Sequence, residues 1–125
     1  MKPLNKTVLA VVSDLFFVAK INEAAKRAGL TVQYSTQEKE VMERAKDKPL
    51  LIILDLNFEA VHPVKLISKL KANAESKPIT LIGYVSHVDG ELKQKAQESG
   101  CNMVMPRSAF SVNLPQLLKR HAGVI

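Results

Sequence analysis

Four polar residues stand at the ends of apolar segments, where metal, acid–base or phosphoryl chemistry is possible. Asp55 lies near the end of LLIILDLN (residues 50–57), and Asn57 follows two positions later. Asp14 and Ser86 each come at the end of another apolar segment. Because burying an ionised carboxylate is costly, an acid in such a place is expected where the segment meets water. Carboxylate and carbonyl oxygens are the ligands that Mg²⁺ prefers, so a metal or phosphoryl site is one interpretation, and plain strand-end capping is the other.

The segments that must position these residues alternate between short apolar runs and amphipathic stretches. Five runs are predicted to be strands: 7–12, 30–35, 50–56, 78–86 and 101–106. Apolar residues three or four positions apart predict a helix after each run. Strands this apolar, in β-α repeats, predict a doubly wound α/β fold. We expect a five-stranded parallel sheet of order 2-1-3-4-5 with helices on both faces, formed by residues 1–125 as one domain.

Two predicted helices carry details that a structure can test. The apolar stripe of the third helix comprises Val61, Val64, Ile67, Leu70 and Ala74. The stripe of the last helix comprises Leu114, Leu117 and Leu118. Because proline breaks a helix interior, we expect Pro115 in the first turn of that last helix.

The predicted topology brings the acids together. In a sheet of this order, ligands bind at the carboxyl ends of the strands, where the strand order reverses between the first and third strands. Asp14 follows the first strand and Asp55 ends the third. We therefore expect Asp55 at the carboxyl end of the central strand, within one side-chain length of Asp14 or Ser13.

With these elements in register, the chain resembles the receiver domain of bacterial two-component response regulators over nearly its whole length. The resemblance implies a flavodoxin-like fold. It also implies that Asp55 is equivalent to the phosphoryl-accepting aspartate and that Ser86 is the switch hydroxyl. Asp14, Asp55 and the backbone carbonyl of Asn57 would be the Mg²⁺ ligands. In the family a lysine precedes a proline at the end of the fifth strand, and Met105-Pro106 occupies that place here.

Several positions depart from the family pattern. Met105 replaces the lysine, and one acid, Asp14, stands where the family has a pair. We expect the strand end to aim Arg107 away from the site, so that it does not replace the lysine. Phosphoryl transfer depends on positioning and on neutralising negative charge. The resemblance with these losses implies a pseudo-receiver in which phosphorylation at Asp55 is weak or lost and Mg²⁺ binding is weak.

A receiver-like chain of this kind is expected to signal by docking on other proteins rather than by catalysis. The expected partner is a sensor kinase or a downstream target, with a homodimer as the second option. We place the surface in residues 89–121 and expect Arg107, Phe110 and Lys119 to contribute to it. No output domain is expected. The alternatives are a stand-alone response regulator that does accept phosphate, and a small enzyme or ligand-binding protein of flavodoxin-like fold.

The net charge of +6 is the excess of eighteen Lys and Arg residues over twelve Asp and Glu residues, and the basic residues are spread along the chain. The densest group is Lys65, Lys69, Lys71 and Lys77, and no aromatic residues interleave with it. A nucleic-acid surface would be clustered, so we expect no nucleic-acid partner. The apolar run at the N-terminus is too short for a signal peptide or a membrane span, and the single cysteine, Cys101, fits a reducing compartment. We expect a cytoplasmic protein with no membrane partner.

Two further features lie on the same side of the predicted fold. Phe16 falls on the polar face of the first helix, together with Lys20, which is typical of a partner anchor or a cover for the crevice. His62 and His87 follow the third and fourth strands. Isolated histidines in loops are usually solvated, so we favour that interpretation over a metal pair.

Overall fold

The computed structural model describes residues 5–86 and 89–123. Its five strands are β1 (Thr7–Val11), β2 (Thr31–Tyr34), β3 (Leu51–Asp55), β4 (Thr80–Val85) and β5 (Met103–Pro106). All neighbouring strands pair in parallel, in the order β2-β1-β3-β4-β5. The predicted sheet and strand order are therefore confirmed.

A helix follows each strand, and local signals explain several helix ends. The helices are α1 (Leu15–Arg27), α2 (Glu38–Ala45), α3 (Pro63–Ala72), α4 (Gly90–Glu98) and α5 (Arg107–His121), with a short 3-10 turn at Glu59–Val61. α1 begins where the Asp14 carboxylate accepts a hydrogen bond of 2.8 Å from the Phe16 N–H. After α1, Gly29 takes a left-handed φ of 73°, which glycine adopts without strain. Asp89 caps α4, since its carboxylate accepts a hydrogen bond of 3.1 Å from the Leu92 N–H.

Alternation along β3 divides the core into two layers. Leu51 and Ile53 pack in the layer that contains the buried faces of α1 and α5. Ile52 and Leu54 pack in the opposite layer, which contains the buried faces of α2, α3 and α4. Asp55 continues this alternation, so its side chain emerges on the α1 and α5 side at the end of the strand.

The last helix differs from the prediction. α5 begins at Arg107, so Pro115 is its ninth residue and lies in the helix interior. The expectation that Pro115 lies in the first turn is wrong. A proline cannot donate the hydrogen bond to the carbonyl four residues earlier. The helix continues past it because Leu114, Leu117 and Leu118 are buried and hold both halves against the sheet.

The predicted stripe of the third helix is also too long at both ends. Val61 lies in the 3-10 turn, and Pro63 is the first residue of α3, where a proline loses no helical hydrogen bond. Ala74 is exposed and lies beyond the helix, which ends at Ala72. After that end, the Ser76 hydroxyl donates a hydrogen bond of 2.6 Å to the Leu70 carbonyl and turns the chain towards β4.

Candidate functional site

Asp55 is the last residue of β3 and is only 6% exposed. One of its oxygens accepts a hydrogen bond of 2.9 Å from the Asn57 N–H. Burial raises the pKa of the Asp55 carboxyl above its ordinary value; the Asn57 hydrogen bond and the charge of Arg107 lower the pKa, and the charge of Asp14 raises it. The structure therefore places a nearly buried acid at the predicted end of the central strand. The Asn57 N–H and the Arg107 charge offset only part of the cost of burying its negative charge.

Asp14 comes directly before α1 and uses both carboxylate oxygens within the protein. Oδ1 accepts the capping hydrogen bond from the Phe16 N–H, and Oδ2 lies 3.5 Å from Nη2 of Arg107. The side chain is 37% exposed, so this pair lies at the surface of the crevice. The residue named as a metal ligand is thus a helix cap that is also paired with a cation.

Arg107 turns towards the site, and the expectation that it points elsewhere is wrong. Its guanidinium pairs with Asp14 and lies 5.5 Å from the centre of the Phe17 ring. The cause is the helix boundary. Because α5 begins immediately after β5, Arg107 occupies the first helical position, beside the start of α1, which packs against α5.

Met105 occupies the place of the family's lysine and is partly buried against the α1 and α5 core layer. Beside it on the sheet lies Tyr84, whose register partners are Asp55 and Met105. The Tyr84 ring is stacked between Phe17 and Phe110, at centroid distances of 4.5 and 4.7 Å. The strand position that the family pattern gives to a lysine is therefore occupied by a thioether side chain beside an aromatic layer.

The Tyr84 hydroxyl is a feature that the sequence reasoning missed. The residue is fully buried, and its hydroxyl has no hydrogen-bond partner among the residues the structure describes. Burial and the charge of Asp55 both raise its pKa. The available signal was one tyrosine within the mostly apolar strand TLIGYV, two residues before Ser86.

The expectation that Phe110 contributes to the docking surface is wrong, because Phe110 is fully buried. Its ring completes the stack with Tyr84 and lies 5.9 Å from Phe17. The helix that carries it begins at Arg107, seven residues before Leu114, the first apolar position assigned from the sequence. Phe110 lies one helical turn before Leu114 and therefore shares its buried face.

Asn57 and Ser86 are brought together by the loops after β3 and β4. The Asn57 side-chain oxygen accepts a hydrogen bond of 2.9 Å from the Ser86 N–H. Ser86 is half-buried. The side chain of Asn57 therefore joins the two strand ends, a contact distinct from the carbonyl role that the resemblance implies.

The rim of the site carries exposed apolar groups at the start of α1. Leu15 is 81% exposed and Phe16 is 58% exposed. The Phe16 ring meets Phe17 edge to face at 5.2 Å, and Nζ of Lys20 lies 5.6 Å from its centre. Phe16 thus lies beside the crevice and open to solvent, which is compatible with both a partner anchor and a cover.

The histidine pair is only partly described. Nδ1 of His62 lies 4.0 Å from a carboxylate oxygen of Glu38, whereas His87 lies outside the described residues. Among residues 5–86 and 89–123, no group of three or more His, Cys, Asp or Glu side chains is arranged to hold a metal ion. For Mg²⁺, Asp14 and Asp55 supply oxygens of the right chemistry, but the oxygens of Asp14 are already engaged.

These features define a class of fold. A parallel sheet of order 2-1-3-4-5, with an aspartate at the end of its central strand and a serine after the next, is the receiver arrangement that the sequence resembles. The chain has the flavodoxin-like receiver fold.

Comparisons with solved structures agree. A putative response regulator from Chloroflexus aurantiacus superposes with a TM-score of 0.81 at 17% identity, over 96% of this chain and 99% of that chain. The chemotaxis response regulator CheY4 of Vibrio cholerae gives 0.79 at 18% identity, over 94% of this chain and 99% of that chain. The receiver domain of the sensor histidine kinase PA1611 from Pseudomonas aeruginosa, which has a magnesium ion coordinated in its active site cleft, gives 0.79 at 13% identity, over 96% and 99%.

Sequence comparison adds nothing to this likeness. No protein-family model matches the chain, and no curated protein matches it. At these identities the similarity to solved structures establishes the fold, and the function has to be argued from the site.

Proposed function

We propose that the protein is a response-regulator-like signalling module that acts by docking on another protein, with phosphorylation at Asp55 weak or lost. The observation that carries this proposal is Met105, which packs against the core where the resemblance places a lysine. A thioether cannot pair with phosphoryl oxygens as an ammonium does. The receiver fold supports the signalling class, and the altered site supports the loss.

Weak Mg²⁺ binding is part of the same proposal. Mg²⁺ requires near-octahedral oxygen ligands and gives up its water reluctantly. Asp55 already accepts one backbone N–H, and Asp14 is capped and paired with Arg107. Metal therefore has to compete with contacts that the protein makes internally. No other cofactor is proposed.

The test is incubation with Mg²⁺ and a small acyl phosphate, followed by intact mass. We expect the wild type to gain little or no phosphoryl group. Met105→Lys restores the ammonium and should increase phosphorylation. Met103→Lys is the matched control, since Met103 lies on the same strand but is 38% exposed and outside the site. Rapid Mg²⁺-dependent phosphorylation of the wild type, lost in Asp55→Asn, would contradict the proposal and favour a functional phospho-accepting regulator.

The proposed docking surface comprises α4, β5 and α5. β5 is at the edge of the sheet and pairs with β4. Met103 and Val112 are exposed apolar residues of this surface, and Lys119 lies partly exposed on α5. The proposed partner is a sensor kinase or a downstream target, and a homodimer is the second option. A stable pairing of standard size would bury about 800 Å² on each side.

Two variants test this surface. Val112→Glu and Lys119→Glu should weaken the complex, because they place an acid on its outer face. Asp55→Asn should leave the complex intact. Light scattering measures the homodimer, and pull-down with a candidate kinase measures the other option. The opposite pattern, with binding lost in Asp55→Asn alone, would make Asp55 a working switch.

The lysine group is not proposed as a nucleic-acid surface. Lys69 pairs with Glu38, and Lys71 donates hydrogen bonds within the protein. Binding to DNA should therefore be weak and disappear at physiological salt, as purely electrostatic contacts do. Salt-dependent fluorescence anisotropy with a labelled duplex measures this.

The membrane and location predictions rest on separate observations. Within the part of the chain that the structure describes, none of the helices has the length and hydropathy needed to cross a bilayer. We propose a cytoplasmic location, which the single buried cysteine, Cys101, supports.

A further inference from the structure

Arg107 places a cation in the candidate site from a position that the family pattern does not use. Its guanidinium pairs with Asp14 at 3.5 Å and lies over Phe17 at 5.5 Å from the ring centre. We propose that Arg107 is the resident cation of this site and competes with Mg²⁺ for the Asp14 carboxylate. This inference rests on the proposed function, because it names how the metal affinity of that same site is kept low.

The geometry holds Arg107 at the site from three directions. Asp14 supplies the opposite charge, Phe17 supplies an aromatic face, and the start of α5 fixes the backbone. Phe17 is itself fixed, since it is buried and stacked on Tyr84. The guanidinium is therefore positioned by a rigid layer, although the arginine side chain remains 46% exposed.

Competition follows from the charges that would meet at the Asp14 carboxylate. One oxygen of Asp14 caps the Phe16 N–H, and the other faces Arg107. Mg²⁺ at that second oxygen would lie close to the guanidinium, and repulsion between the two cations favours withdrawal of the arginine. Exposed ion pairs are weak, equivalent to about fivefold in an equilibrium constant, so a divalent cation can displace this one at sufficient concentration.

Withdrawal would also change the link between two helices. The pair joins the residue before α1 to the first residue of α5, across 93 positions of sequence. Because α5 belongs to the proposed docking surface, Mg²⁺ binding at the site would break a contact at the start of that surface. Arg107 is thus a positioning residue that makes the site and the surface sensitive to each other.

The test is a Mg²⁺ titration followed by the backbone amide resonances of Phe16 and Asn57. We expect Arg107→Gln to bind Mg²⁺ about fivefold more tightly than the wild type, because the competing cation is gone. Arg107→Lys keeps the charge but loses the stacked guanidinium, so its Mg²⁺ affinity should lie between those of the wild type and Arg107→Gln. Arg27→Gln is the matched control: it removes the same charge from a surface pair with Glu23 at 2.9 Å on α1. Its Mg²⁺ affinity should not change.

The side-chain resonances of the wild type provide a second test. At saturating Mg²⁺, the Nε–H resonance of Arg107 and the ring resonances of Phe17 should shift together as the guanidinium leaves the ring. Mg²⁺ binding without those shifts would overturn the inference. So would an unchanged affinity in Arg107→Gln, or an equal gain in Arg27→Gln.

The two proposals fail in different ways. Fast phosphorylation of the wild type by an acyl phosphate would end the proposed loss of phosphorylation without changing the ranking of Mg²⁺ affinities. Equal Mg²⁺ affinities in the wild type and the variants would contradict the proposed competition without affecting the docking proposal.

Discussion

Polar side chains are hydrogen-bonded to different degrees at the two ends of the sheet. At the amino ends of β4 and β5, Lys71 donates hydrogen bonds to the carbonyls of Lys77 and Ile79 and to the Asn102 side chain, at 3.0, 2.9 and 2.9 Å. Asn102 in turn accepts a hydrogen bond of 2.8 Å from the Leu81 N–H. This end is closed by contacts that satisfy the backbone.

At the carboxyl end the polar groups are less well satisfied. Asp55 is nearly buried with a raised pKa, and the Tyr84 hydroxyl lacks a partner among the described residues. The Arg107–Asp14 pair is longer and exposed to water. The contrast indicates that the amino end is organised for stability, whereas the carboxyl end retains polar groups that cost stability.

The largest effect is expected from the aromatic layer beneath the carboxyl end. Phe110→Ala should lower the free energy of unfolding by about 3–5 kcal/mol, because it removes a fully buried ring from the stack with Tyr84. Denaturant unfolding measures the change. Val112→Ala on the exposed face of the same helix should stay within about 0.5 kcal/mol. Similar losses for both would mean that Phe110 is not a core residue.

The amino end should be the next most sensitive place. Lys71→Met keeps the length of the side chain but removes its hydrogen bonds, and it should cost about 2 kcal/mol. Lys65→Met, on the exposed side of the same helix, should change stability by less than about 0.5 kcal/mol. If the two lysines prove equivalent, the amino end is not held by Lys71 and the contrast between the ends fails.

Removing the hydroxyl group from each of two buried or partly buried tyrosines should change the free energy of unfolding in opposite directions. Tyr84→Phe removes a buried hydroxyl that has no partner within residues 5–86 and 89–123, and it should raise stability by about 1 kcal/mol. The Tyr34 hydroxyl lies 3.0 Å from the Val18 carbonyl and 2.8 Å from the Asn22 side-chain oxygen. Tyr34→Phe should therefore cost about 1 kcal/mol. A loss in Tyr84→Phe, measured by the same unfolding curves, would show that its hydroxyl is satisfied in solution.

The smallest effect concerns the charge of Asp55 and depends on pH. Because burial raises the pKa of Asp55 above its ordinary value of 3.8, the folded protein holds the proton more tightly than the unfolded chain. The contribution of Asp55 to stability is therefore fully present below pH 3.8. It is lost as the pH rises through the pKa that Asp55 has in the folded protein. Asp55→Asn should therefore melt at a higher temperature than the wild type at pH 7, with the difference vanishing below pH 3.8.

Thermal midpoints across this pH range measure the difference. A variant that is less stable than the wild type at pH 7 would mean that Arg107 and the Asn57 N–H stabilise the carboxylate more than burial destabilises it.

Much of the fold was readable from local pattern. Apolar β-branched runs predicted the strands, and the position of Asp55 after one of them predicted its place at the carboxyl end. Asp14 and Asp89 cap helices and Gly29 follows one, and such capping depends on residues within a few positions of one another. Such signals are short-range and need no knowledge of the packed molecule.

The chemistry of the site depended on contacts between distant parts of the chain. Arg107 meets Asp14 because α5 begins at Arg107 and packs beside α1, a boundary that the apolar stripe did not locate. The same boundary turns Phe110 into the core and leaves Pro115 in the helix interior. Hydrophobic periodicity specifies which face of a segment is buried, whereas the direction of a long side chain depends on which partners packing brings within reach.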